Sequence, residues 1–419
     1  MSELPPGAGP SGDAGDVPVD PPGDAPVDAP DDAPDDNGTE AGKRKGKVKV
    51  RHTVGKAVGA TVVVLALVTG LTVVFLYRHY NANLNVQDIG TELGTDRPTP
   101  KVPTGPSGTI NILVMGSDNR DAPGDHIDNL TGIGKRSDTT ILLHLSADRQ
   151  HAYGISVPRD SIVNRPTCLN NKGKVISPAA TGVMWNDAFN IGGPGCTVRQ
   201  FEQLTGIPVD HYVVVDFNGF RGMVDAIGGV QVCLPHAVND TIGHITLPAG
   251  THKFSGKDAL NYVRERHSLG NGSDIGRMKR QQAFIASMAH QAISANTLAN
   301  PIRLARFIDA ATKSLTLDPQ IGSISKLVGL AYQFRHIGLS HIQFVTTPWE
   351  ADPADPNRVI WAPGAQQLWK AIAKDKVLSK AMLSGSLNAK HIPGVTKHPH
   401  NSQQEQAAAA ENLANGLCA

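Results

Sequence analysis

Three things are scarce in this sequence, and each scarcity removes a class of function. Net charge is almost absent, +1 over 419 residues, which argues against a dedicated nucleic-acid binder. Cysteine is rare, four in all, and no CxxC or Cys/His spacing suits zinc, so thiols point to no metal site. The common catalytic loops are missing too. Gly192-Gly193-Pro194-Gly195 lacks a following Lys-Ser/Thr, and its proline removes a backbone donor, which excludes a Walker-type nucleotide cradle. No Gly-x-Ser-x-Gly elbow is present for a serine hydrolase.

Two local absences are more telling than the totals. Residues 1–42 contain no Lys or Arg and are dense in Pro, Gly, Ala and Asp. Such a segment buries too little apolar surface to offset its ordering entropy, so it reads as a disordered tail. Residues 57–77 contain no charge at all, and their length matches the roughly 20 apolar residues that cross a bilayer. Tyr77 and Tyr80 stand at its end as interfacial residues. A cleaved signal peptide is the other reading, but a long tail precedes the run and no small-x-small cleavage site follows it. The basic run 43–51 lies on its N-terminal side. The positive-inside rule then puts the N-terminus in the cytoplasm and everything beyond the span outside. Disulfides persist there. Cys168 and Cys196, both in Pro/Gly-rich loops, are the preferred pair, with unpaired thiols as the alternative.

The expected organisation is a disordered tail with a basic juxtamembrane run (1–55), one transmembrane helix (56–77), and a Pro-rich stalk (78–106). A catalytic domain (107–295), a C-terminal extension packed on it (296–395) and a flexible tail (396–419) follow. Short apolar runs at 109–116, 140–146, 151–157, 211–216 and 341–347 predict strands. Helices are expected at 198–205 with Thr197 as cap, at 217–227, from Ser255 through Asn261, from Met278 to about Ala295, and at 301–315, 323–334 and 366–374. The alternation implies an α/β fold, a central mixed β-sheet with helices on both faces (an αβα sandwich).

Three predicted strand ends present an Asp, an Arg or both: Asp118, Asp138 and the pair Arg159-Asp160. Ligands bind at that edge in open α/β sheets. Asp118 and Asp138 suit a hard cation such as Mg²⁺, shared with phosphate oxygens. The other reading is two turn aspartates paired with Arg120 and Arg136. The stretch 262–282 packs Arg264, Arg266, Arg277, Lys279 and Arg280 around a Gly/Asn/Ser turn. Arg264 and Arg266 share a face if extended, and Arg277 and Gln281 share one on a helix opened by Ser273 or Asp274. With Arg159, these planar donors suit a pyrophosphate. A solvated basic loop is the plain alternative, and Lys279 and Arg280 are assigned to such a wet face. Asp160 and Asp274 are the local carboxylates available as a base.

Seven motifs occur in order: 111–121, 136–139, 157–160, 215–220, 225–230, 262–266 and 274–282. This arrangement resembles the LytR-CpsA-Psr family of cell-wall glycopolymer ligases, actinobacterial type, over about 107–295 and the preceding span. The stretch between Asp118 and Asp138 is longer than in shorter members. The resemblance implies a phosphotransferase that moves a glycopolymer from a polyprenyl-pyrophosphate carrier onto peptidoglycan and leaves a phosphodiester link. It implies Asp118 and Asp138 as the Mg²⁺ ligands. Arg159, Arg264, Arg266 and Arg277 would bind pyrophosphate, with Gln281 beside them, and no nucleic acid would take part. Two rival functions are a pyrophosphatase on the same lipid and a non-catalytic membrane-anchored wall-polymer binder or regulator.

Overall fold

The structure, a computed structural model, describes residues 53–99, 108–118, 136–241, 244–265, 268–293, 300–396 and 403–419, with the backbone alone of Asp118, Arg136, Asp138, Asn218 and Gln404. The acidic tail, the basic run and the insertion 119–135 lie outside these residues.

Helix α1, Thr53–Asn83, contains the uncharged run. Every residue from Val54 to His79 is exposed, Leu65, Leu67, Leu71 and Phe75 among them. A soluble helix buries one apolar stripe, whereas this one is apolar all round and covers none of it. It is the single candidate membrane helix among the described residues.

Eight strands form the central sheet: β1 (Asn85–Val86), β2 (Ile110–Asp118), β3 (Arg136–Leu145), β4 (Ala152–Val157), β5 (His211–Asp216), β6 (Leu315–Leu317), β7 (Ile342–Thr346) and β8 (Leu387–Asn388). Their spatial order is β1-β6-β5-β2-β3-β4-β7-β8. The β5–β2 and β4–β7 pairs are parallel, whereas β3 runs antiparallel to both its neighbours. The sheet is therefore mixed.

Adjacent strand residues face opposite sides. Leu113 and Met115 of β2, Ile155 of β4 and Val345 of β7 enter one core with Val198 and Phe201 of α2 (Asp187–Thr205). Leu368 and Trp369 of a later helix, 363–373, close that core. Phe344, one residue before Val345, instead meets Ala283 and Ala286 of α5 (Asp274–Ile293). Helices α3 (Phe217–Ala226) and α4 (Gly256–Arg264) build a second core with Phe284 of α5. Helices thus cover both faces, as the alternating pattern implies. Each buried Leu, Ile or Phe contributes about 1.5–3 kcal/mol, so these two layers hold the sheet rigid beneath its edge.

Several expected boundaries move. β6, β7 and β8 belong to the central sheet, so the chain beyond 295 completes the domain rather than packing on it as an extension. β1, in the expected stalk, pairs with β6, and Arg97 forms an ion pair with the buried Glu202. The stalk is thereby docked up to Arg97, and residues 100–107 lie outside the described set. Strands of two or three residues carry no readable alternation, which is why they escape sequence patterning. Gly192 and Gly193 form a kink within α2, and the expected cap Thr197 sits inside the helix, donating to the Gly193 carbonyl at 2.9 Å. The C-terminal tail is not loose: Gln403–Ala414 is helical, Leu417 is buried, and Cys418 is bonded to Cys233.

Candidate active site at the sheet edge

Strands β2, β4, β5 and β7 run the same way, so their C-terminal ends and the start of β3 meet at one edge. Asp118 ends β2, Asp138 lies near the start of β3, and Arg159 follows β4 by two residues. The register between β2 and β3 shifts at this point. Ser117 faces Ser137 and Gly116 faces Thr139, which leaves Asp138 as the extra residue of a β-bulge. Bulges re-aim the chain at functional edges. The side chains of Asp118 and Asp138, and all of Arg266, lie outside the described residues.

Arg159 is delivered by a turn in which Ser161 N donates to the Pro158 carbonyl at 3.1 Å. Its Nε lies 2.9 Å from Asp274 Oδ1. Asp274 opens α5. Asn271 Oδ1 accepts from Ser273 N at 3.0 Å, and Ser273 Oγ accepts from Gly276 N at 3.1 Å, which caps the helix. A carboxylate in a first helical turn is favoured by the macrodipole. The Arg277 guanidinium, one turn on, also donates to Asp274 Oδ1. Two arginines from distant segments therefore converge on one carboxylate.

Gln281 lies one further turn along. Its Oε1 accepts from Thr139 Oγ1 at 2.9 Å and its Nε2 donates to the Val263 carbonyl at 3.2 Å. It thus ties the start of β3, beside Asp138, to the end of α4, beside Arg264. Arg264 is helical, not extended: α4 reaches it because Ala259, Leu260, Tyr262 and Val263 bury the helix face. The chain leaves the helix only at Glu265, and the Arg264 guanidinium stacks 4.8 Å over the Phe217 ring.

On the other side of Arg159, Asp160 Oδ1 meets Arg358 Nη1 at 3.3 Å. Arg159, Asp160 and Arg358 line an open cleft of about 230 Å³ with Asn186, Asp187 and Asn190 from the start of α2. Cys168 and Cys196 are joined, as expected, and fix α2 beyond its kink. Arg358 and the three α2 residues were missed. Their only sequence signal is a polar cluster after position 295 and one before Gly192, neither of which announces a shared cleft.

Lys279 and Arg280 are not on a wet face. Both are buried, Arg280 at 1% exposure. Arg280 donates to the carbonyls of Glu265 at 2.6 Å, Leu269 at 3.2 Å and Asn415 at 3.1 Å. Lys279 Nζ donates to the Gly385 carbonyl and lies 3.9 Å from Glu411. Burial pushes both pKa values down. A cation can be buried here because distant loops bring carbonyl oxygens to it. The C-terminal segment closes the arrangement: Asn271 N donates to the Ala414 carbonyl at 3.1 Å, and Gly270 (φ +67) is pressed against Asn415 and Gly416. A Cβ there would meet the Asn415 backbone at 2.8 Å, so only glycine fits.

Comparison with known proteins agrees with the fold. The chain is 31% identical to the cell wall biosynthesis protein LcpA of Corynebacterium glutamicum over 264 residues, 58% of this chain and 50% of LcpA. It is 29% identical to the polyisoprenyl-teichoic acid–peptidoglycan teichoic acid transferase TagT of Bacillus subtilis, over 45% of this chain and 55% of TagT. The chain thus spans about half the length of each relative. The LytR-Csp2A-Psr enzyme from Actinomyces oris superposes with a TM-score of 0.50 at 22% identity, covering 73% of this chain and 98% of that one, a likeness of fold. The LytR_cpsA_psr family model matches residues 76–376, which takes in the foot of α1, the whole edge cluster and Arg358, and the chain belongs to that family.

Proposed function

We propose that this protein is a membrane-anchored phosphotransferase that moves a wall glycopolymer from a polyprenyl-pyrophosphate carrier onto peptidoglycan, forming a phosphodiester link. The observation that carries the reading is the convergence of Arg159 and Arg277 on Asp274 at the edge where the ends of β2 and β3 bring Asp118 and Asp138. Guanidinia held in this way are preorganised, and they can exchange a carboxylate for phosphate oxygens of the same bidentate geometry. The relative TagT is named as a transferase of teichoic acid to peptidoglycan, which supports the same class of reaction.

In this reading Arg159 and Arg277 grip the pyrophosphate, Arg264 reaches it from the end of α4, and Arg266 is a further donor to it. Gln281 keeps the two halves of the clamp in register through Thr139 and Val263. A hydroxyl of peptidoglycan attacks the sugar-proximal phosphorus. The new P–O bond forms as the bond to prenyl phosphate breaks, and prenyl phosphate leaves with the electron pair. Asp160, beside the cleft and 13% exposed, is placed to take the hydroxyl proton. Asp118 and Asp138 are the residues that would hold Mg²⁺, two hard oxygen donors at adjoining strand ends, and the ion would neutralise charge on the pyrophosphate. With the N-terminus cytoplasmic, this edge works outside the membrane.

The test uses the full chain in vesicles with a polyprenyl-pyrophosphate glycan and peptidoglycan. Polymer linked to peptidoglycan is expected, and it should be lost in Asp138→Ala and Arg159→Ala. Free sugar phosphate without linked polymer would assign the protein as a pyrophosphatase instead. Undiminished attachment in both variants, in cells, would make it a binder rather than an enzyme.

A further inference from the structure

We propose that the surface formed by α6 (Pro301–Ser314) and α7 (Ile324–Gln333) is a second membrane contact, resting on the anionic lipid headgroups beside the foot of α1. The inference rests on α1 crossing the bilayer and is independent of the chemistry at the sheet edge.

The foot of α1 is pinned to this surface. Tyr80, the first buried residue of α1, points its hydroxyl at the Ala305 carbonyl, 3.4 Å away. His79 Nε2 lies 2.9 Å from Asp309 Oδ1, and Asn83 Nδ2 donates to Asp309 Oδ1 at 3.1 Å and Thr312 Oγ1 at 3.3 Å. Asn83 meets Thr312 at the end of α6, and the strands that directly follow the two helices, β1 and β6, pair in parallel, so α1 and α6 run side by side in the same direction. The first turn of α6 is therefore level with the last exposed apolar turn of α1, where the bilayer ends. Ile302 in that turn is 64% exposed, and Arg303 and Arg306 are exposed beside it.

Helix α7 also starts against the foot of α1, since Ile324 N donates to Asn81 Oδ1 at 3.0 Å. It has no buried residue. Val328 and Tyr332, four apart and so on one face, are each 58% exposed, and Gly329 between them faces open space. Lys326 and Arg335 flank the strip, the latter with its guanidinium 3.3 Å over the Tyr332 ring. Asp309 is the only acid on either helix, and it is already engaged by His79 and Lys313. An apolar strip rimmed by cations, at the height where a span leaves the bilayer, has the chemistry of an interfacial helix on anionic lipid. A Tyr with an Arg beside it is a pairing that can reach the headgroup layer while its stem lies on acyl chains.

Photo-crosslinking of the full chain tests this. The photoreactive residue p-benzoylphenylalanine replaces Ile302, Val328 or Tyr332, one at a time, in vesicles of phosphatidylglycerol and phosphatidylethanolamine. Leu67 in α1 reports the span itself, and Val175, 62% exposed on a loop strand of the outer domain, is the control. Lipid adducts at positions 302, 328 and 332 are expected at least tenfold above those at 175. Reversing Arg303 and Arg306 to Glu should cut the adduct at 328 about fivefold in anionic vesicles and leave it unchanged in phosphatidylcholine. Adducts at 67 with none above control at 302, 328 and 332 overturn the second contact and leave the span standing. Absence of adducts at 67 overturns the span and this inference together. Crosslinks from the three positions to a second protein chain, in place of lipid, also overturn it.

Discussion

Helix α5 carries cations into two regions that resemble each other in sequence and differ in physics. At the sheet edge, Arg277 meets Asp274, which Arg159 also meets, beside an open cleft. Two and three residues further along, Lys279 and Arg280 are buried against carbonyls of Gly385, Glu265, Leu269 and Asn415. A carboxylate partner near solvent can be exchanged for a phosphate. A backbone carbonyl partner cannot leave, because the chain that carries it is packed. In the proposed function the first region binds phosphate, whereas the second holds the loop before α5 in place. The contrast shows that the partner of a cation, more than the cation itself, separates function from structure.

The largest expected effect is on the structural side. Arg280→Met leaves carbonyls on both sides of the loop without a donor and should cost about 3–5 kcal/mol, read by denaturant unfolding of the full chain. A loss under about 1 kcal/mol would break the distinction. Next comes the strap that carries Asn415. Cys418→Ser opens a cross-link spanning 185 residues and should cost about 2–4 kcal/mol. Amide exchange in 268–276 should quicken, because Gly270 and Asn271 rest on that segment. Cys168→Ser opens one spanning only 28 residues. By loop entropy its effect should be about 1.7 kcal/mol smaller, and equal or larger losses would show that native packing, not chain closure, sets the difference.

On the binding side the order of readouts reverses. Arg277→Ala and Arg159→Ala should each lower transfer by about 10²–10³-fold, while unfolding shifts by about 1 kcal/mol in Arg159→Ala and by more in Arg277→Ala, whose side chain is 4% exposed. Lysine should not rescue Arg159, since a point charge cannot reproduce the planar fork. Parallel losses of stability and transfer would merge the two regions into one. Arg358→Ala should do less. Its own side chain is about a third exposed in both ion pairs, with Asp160 and Asp355, so stability should change by under about 1 kcal/mol. Transfer should fall by no more than about tenfold, through the altered setting of Asp160.

Much of the edge was legible because it is local. Apolar runs ending in Asp or Arg mark β2 and β4, and the strand-end rule brings Asp118, Asp138 and Arg159 to one edge from sequence alone. Ser273 announces the start of α5, and the two loop cysteines announce their bond. What stayed hidden is set by partners far along the chain. Gly385 and Asn415 are 106 and 135 residues from the cations they bind, so Lys279 and Arg280 read as surface charge. Cys233 had no visible partner for the same reason. The spacing of Arg264 and Arg266 leaves an extended reading open, because the helix that reaches Arg264 is fixed by burial of Tyr262 and Val263, not by propensity. The short strands β1, β6 and β8 exist only because longer neighbours offer them an edge.

The smallest effect sharpens the comparison by pH. Burial pushes the Lys279 pKa below its ordinary 10.5, so the folded chain releases this proton before the unfolded chain does. Between the lowered folded value and 10.5 the unfolded state binds more protons, and stability therefore rises with pH through that window. Below it, the cost of burying the charge is constant. Lys279→Met removes the titration, so the stability of the native chain relative to this variant should climb as pH rises through the window. The neutral amine still donates to the Gly385 carbonyl, which keeps the bond while the desolvated charge disappears. Arg277→Ala should show no such slope, because guanidinium stays protonated across the range. A native chain whose advantage over Lys279→Met shrinks as pH rises would mean that Glu411, 3.9 Å away, outweighs burial. Lys279 would then belong with the carboxylate-paired cations of the edge.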